Sequence, residues 1–85
     1  MFKPLYNIGE SFRWILEKDI NNIDYSDFKD TVWTIVEIIS TDATRPKEDI
    51  EYQLLTVNDI SKLNPKISSL AWFLEIELET WFEKL

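Results

Sequence analysis

The chain has neither cysteine nor histidine, and that double absence decides how it can hold a fold. Its 85 residues make one domain, 1–85, of a size that buries only about 60–65% of its unfolded surface. Small domains often lean on disulfides or a structural zinc, and here neither can form. Apolar packing must supply the stability. Hydrophobic residues make up 45% of the chain, and 4 Trp, 5 Phe and 3 Tyr provide the rings that bury the most area per residue ordered. The composition describes a folded, aromatic-rich domain and not a disordered segment.

The same absences narrow the chemistry. Without His or Cys there is no Ser-His-Asp or Cys-His nucleophile and no HExxH or CxxC metal site. With a single glycine, Gly9, there is no phosphate-cradling loop. Carboxylates recur at Asp24, Asp27 and Asp30 and at Glu75, Glu77 and Glu79. Carboxylate-only catalysis needs a cleft that shifts a pKa, and so small a core has little room for one. DYSDFKD lacks the alternate acids and the glycine of a calcium loop. Neither an enzyme nor a cofactor is expected.

Net charge is −7, which argues against nucleic acid or an anionic membrane as a direct partner and is compatible with solubility alone. The opening MFKPLYNIGE shows no secretory pattern, and no run approaches the ~20 apolar residues of a membrane span. The expected location is the cytoplasm, which the lack of cysteine also suits.

Along the chain, ESFRWIL alternates Phe12, Trp14 and Leu16 against Ser11, Arg13 and Ile15, a first strand. The following EKDINNIDYSDFKD is polar and rich in turn formers. It reads as a long loop or short helix that Ile20, Ile23, Tyr25 and Phe28 could pin to the body. TVWTIVEIIS has two readings. Phe28, Val32, Ile35, Val36 and Ile39 fall at helical spacing with Ser26 as N-cap, but its many β-branched residues favour a strand. Apolar residues on both faces make that strand central. TDATRPKED is a turn, with Pro46 interrupting any ladder. DIEYQLLTV alternates cleanly, so the two strands form a hairpin with a long loop. In NDISKLNPK, Ile60 and Leu63 tuck inward as one helical turn. The ending LAWFLEIELETWFEKL reads as a strand from Ser69 to Leu74, then a helix from Glu75. Glu75 and Glu77 suit its first turn, and Leu78, Trp81, Phe82 and Leu85 form its stripe. A wholly helical ending is the alternative. The fold class is α+β, a small twisted antiparallel sheet or SH3-like barrel of about four strands with a C-terminal helix.

The order GESFRW, insertion, VWTIVEI, IEYQLLTV and AWFLEIELETWFEKL resembles the small SH3-like barrel proteins encoded by phages and mobile elements. The EKDINNIDYSDFKD insertion departs from that pattern and is where a particular function would be acquired. The resemblance implies a host-directed inhibitor or accessory protein, aimed at a defence protein or a nucleic-acid enzyme.

The expected function is a non-enzymatic protein-binding module. Trp and Tyr dominate interface hot spots, and twelve aromatics exceed what one small core needs, unless all twelve fill the core and its margins. The surplus falls on Tyr25 and Phe28 in the insertion and on Trp81 and Phe82 near the end, although the last two would equally staple the final helix to the sheet. Asp24, Asp27 and Asp30 are the candidates for charge steering, against a plain reading as a solvated acidic loop. Two alternatives stand. The chain is a nucleic-acid mimic whose carboxylates replace phosphates in a basic groove, or a phage structural or assembly protein. An exposed edge strand or terminal helix would also serve a homodimer.

Overall fold

A computed structural model describes residues 3–40 and 44–85 of the chain. Five antiparallel strands form one sheet in the order β4-β3-β2-β1-β5. They are β1 (Ser11–Trp14), β2 (Val32–Ile39), β3 (Glu51–Thr56), β4 (Leu70–Leu74) and β5 (Phe82–Lys84). Two short helices, α1 (Pro46–Asp49) and α2 (Glu75–Trp81), and a single 3₁₀ turn, Ser26–Phe28, complete the described elements. β1 pairs on one side with β2 and on the other with β5. β1 is therefore an interior strand, and the open sheet has β4 and β5 as its edges. The class is α+β, as the sequence indicates.

The alternation in ESFRW works as read: Phe12 and Trp14 are fully buried. β2 is central, and its mixed pattern has a local cause. Ile35 pairs with Leu54, but the next pair is Glu37 with Gln53, so Val36 is an inserted residue. A bulge of this kind puts two residues opposite one and resets the side-chain phase. Trp33 and Ile35 therefore face inward before it, Ile38 after it, and Val32, Val36 and Ile39 are left exposed. The helical spacing of Val32, Ile35, Val36 and Ile39 mixes one inward residue, Ile35, with three exposed ones.

The core is a cluster of rings on the inner face. Around Trp14 stand Tyr25, Phe28, Trp33, Phe73, Trp81 and Phe82, with centroids 5.0–6.1 Å away. Mostly tilted or edge-on pairs of this kind each contribute about 0.5–1.5 kcal/mol beyond their buried area. The two fully buried indoles keep their N–H groups bonded, Trp14 to the Leu16 carbonyl at 2.8 Å and Trp33 to the Thr31 hydroxyl at 2.9 Å. An unbonded N–H there would cost about 1–3 kcal/mol.

The ending follows the strand-then-helix reading as far as Trp81. Helix α2 begins at Glu75, directly after β4. It then stops, because Phe82 leaves the stripe to pair with Trp14 as β5. The expected helix through Leu85 is therefore shorter, and the sheet gains a fifth strand. Of the four insertion anchors, Tyr25 and Phe28 are buried, whereas Ile20 and Ile23 are exposed, Ile20 at 97%. Ile60 is buried and Leu63 half-buried, joined by a turn in which Leu63 N–H bonds the Ile60 carbonyl. Pro46 starts α1 at its first turn, where its missing N–H costs nothing. Thr41, Asp42 and Ala43 of the expected turn lie outside the described residues.

Candidate protein-binding site

The aromatic candidates are consumed by the core. Phe28 is 0% and Phe82 3% exposed, and Tyr25 is buried against Trp14, Phe28 and Trp81. Trp81 is half-buried, and its carbonyl accepts the N–H groups of Ile15 at 2.9 Å and Leu16 at 3.1 Å. These four residues close the insertion and the end of α2 over Trp14. A partner could not reach Tyr25, Phe28 or Phe82 without opening the core. Their reading as contact residues is corrected accordingly. The physical reason is that the insertion folds back: Tyr25 N–H bonds the Glu17 carbonyl and Asp30 N–H the Trp14 carbonyl, which carries both rings inward.

The three aspartates are exposed, and each has its own local setting. Asp24 accepts the Ser26 N–H at 2.9 Å, and Ser26 holds its carboxyl below the usual carboxylate range. Asp27 lies in the first turn of the 3₁₀ element. Asp30 turns the chain with φ 70°, a conformation that Asp tolerates better than most residues, and it pairs with Arg13 at 3.1 Å. Arg13 also pairs with Glu83, which raises the pKa of its guanidinium further. No single steering surface results from the three.

Beside the insertion runs an open groove of about 610 Å³, lined in part by Ile15, Glu17, Lys18, Asp24 and Thr80. A second of about 420 Å³ lies by the 57–69 connection. Among the described residues no group of three His, Cys, Asp or Glu side chains is placed to hold a metal. No helix there is long and apolar enough to cross a membrane.

The buried Glu75 is occupied in structure. Its Oε1 accepts the Tyr52 hydroxyl at 2.5 Å and the Leu5 N–H at 3.0 Å, while the Tyr52 oxygen also lies 3.0 Å from the Leu5 N–H. Burial, followed by the bond to Glu75, pushes the Tyr52 phenol well above the ordinary tyrosine range. The arrangement clamps the segment before β1 against β3 and α2.

What remains open is the outer face of the sheet. The register places Thr34 beside Leu55 and Leu55 beside Leu70 in one row, and Glu37, Gln53 and Trp72 in the next but one. Leu55, Leu70 and Trp72 are 40%, 43% and 41% exposed, and Val32 and Val36 39% each. Among the described residues Trp72 is the only exposed aromatic side chain. Sequence reasoning passed over it by naming Tyr25, Phe28, Trp81 and Phe82 as the surplus rings. The signal was present, however. Neighbours on a strand point to opposite faces, so with Phe73 in the core Trp72 faces out, and among the described residues no further layer covers it.

The free edge of β4 is also distinctive. The Ser69 carbonyl accepts the Thr56 N–H and the Glu75 N–H donates to the Ile50 carbonyl, so the N–H groups of Leu70, Trp72 and Leu74 point away from the sheet. The Ser68 hydroxyl accepts the first at 3.3 Å and the Glu77 carboxylate the last at 2.7 Å. Comparison of the chain with protein-family models, with curated proteins and with solved structures gives no match, so the reading of this face rests on its geometry.

Proposed function

We propose that the protein is a non-enzymatic binding module that docks another protein on the outer face of its sheet, with Trp72 at the centre. The observation that carries this is the placement of Trp72. Every other described aromatic is at least half-buried, while this one stands exposed among Val36, Leu55 and Leu70 on the face. A large rigid ring surrounded by aliphatic groups is the composition of an interface hot spot. The resemblance to phage-type barrels makes bacterial cytosol the place to look for a host partner.

The mimic reading gains less support. Lys29 pairs with Glu17, Arg45 with Glu48 and Asp49, and Lys47 with Glu79, so cations interrupt the acids that a phosphate mimic would align.

The test is affinity capture from bacterial cytosol with the wild type, Trp72→Ser, and two controls, Ile20→Ser and Val57→Ser, which alter equally apolar but isolated loop side chains. Loss of the same captured protein with Trp72→Ser alone supports the face. Loss with Ile20→Ser, and retention with Trp72→Ser, moves the function to the insertion and sinks this reading.

A further inference from the structure

The docking face also carries information about what covers it, and the following rests on the reading of that face as a binding site. Its apolar centre spans β2, β3 and β4, about 10 Å across at ~4.8 Å per strand spacing. Such a patch amounts to a few hundred Å², below the roughly 800 Å² per partner of a standard stable interface. A stable complex must therefore include the rim. The outward charged positions of the sheet are Arg13, Glu37, Glu51 and Glu83. The one cation among them is already held by Glu83 and Asp30. Glu37 lies in the row of Gln53 and Trp72, and Glu51 lies between Ile39 and Leu74. The face is acidic at the Ile39 and Leu74 end of the apolar centre, and on the far side of β2 Arg13 is already paired.

We infer that the occupant is a protein surface with an apolar patch bordered by lysine or arginine, seated face-on. A second copy of this chain seated by the same face would bring no unpaired cation to Glu37 and Glu51, whereas a basic border would complement them. Addition of a strand along β4 is opposed by a different feature. Of its three outward N–H groups, Ser68 and Glu77 already occupy two, so the edge offers little of the ladder that augmentation requires.

The probes are two helical peptides sharing one Leu/Trp face, one flanked by Lys and one by Glu, titrated into the ¹⁵N-labelled protein. The Lys-flanked peptide should shift the amides of Leu55, Leu70 and Trp72 and the Trp72 indole. Trp72→Ser should weaken it about tenfold or more. Glu37→Lys with Glu51→Lys should weaken it about fivefold or more and remove most of its dependence on salt between ~0.05 and ~0.5 M.

Equal binding of the Glu-flanked peptide, still lost with Trp72→Ser, would keep the docking face and overturn the basic partner. No shift with either peptide, or shifts confined to residues 15–30, would overturn both. Concentration-dependent dimers in sedimentation, broken by Trp72→Ser, would show that the occupant is a second copy. Protection of the Trp72 amide from exchange, indifferent to the two charge reversals, would show strand addition.

Discussion

At the scale of single residues, the aromatic side chains divide into those that make the fold and the one that does not. Phe28 is sealed against Trp14 and Tyr25, so Phe28→Ala should cost about 3–5 kcal/mol. Against a typical total of about 5–15 kcal/mol, urea denaturation should show a large fall in midpoint or no folded state. Trp72→Ser, at an exposed site, should leave the same transition within about 1 kcal/mol of wild type. The sequence reading put the surplus rings at Tyr25, Phe28, Trp81 and Phe82, whereas the exposed ring is Trp72. Local polarity made the insertion look like surface, and nothing local reveals that Tyr25 and Phe28 turn back over β1. The Tyr52 hydroxyl offers a pH test. Its folded pKa is raised, so its contribution to stability is whole below the ordinary tyrosine value near 10. It is lost as pH rises from there toward the folded value, because the unfolded chain releases that proton first. Tyr52→Phe should flatten the alkaline limb of the stability curve and lower the plateau at neutral pH by about 1–3 kcal/mol, the cost of removing a donor from buried Glu75.

At the scale of elements, two small irregularities decide what the sheet presents. The bulge at Val36 allows Trp33 and Ile35 before it and Ile38 after it to reach one core. Deleting Val36 should close the bulge into a regular ladder, because Ile35 and Ile38 would then stand two positions apart on one face. The expected result is a cooperative thermal transition that is retained. At β4, Glu77→Ala should free the Leu74 N–H and unseat the start of α2 at a cost of about 1 kcal/mol. It should also raise the tendency to form fibrils, which thioflavin fluorescence would follow. These elements were unequally legible. The change from β4 to α2 is visible because Glu75 and Glu77 mark a helix start. β5 is not, since FEK is too short to alternate, and Phe82 fits a helical stripe until one knows that β1 needs a partner.

At the scale of the molecule, the exposed ion pairs and the fold answer to different forces. The core is made of rings, and pairs such as Arg45 with Glu48 and Lys29 with Glu17 sit in solvent, where screening leaves them little effect on stability. Melting temperature should therefore change little as salt is added, while capture of a basic partner weakens, two measurements on the same sample. The architecture was readable from composition and alternation because both are summed over many residues. The exposed apolar face was not, because exposure is a property of what fails to pack above it.

The pairing of β1 with β5 has a kinetic meaning. Arg13 and Glu83 are 70 positions apart, whereas β2 and β3 are neighbours joined by one connection. Closing the longer loop costs more chain entropy and is rewarded later. The β2–β3 hairpin is thus the natural nucleus and β5 a late arrival. A substitution that weakens β5 should speed unfolding and leave the folding rate nearly alone. The last strand to dock also seals Trp14, so how long the native state survives is governed by three residues that contribute little to how fast it forms.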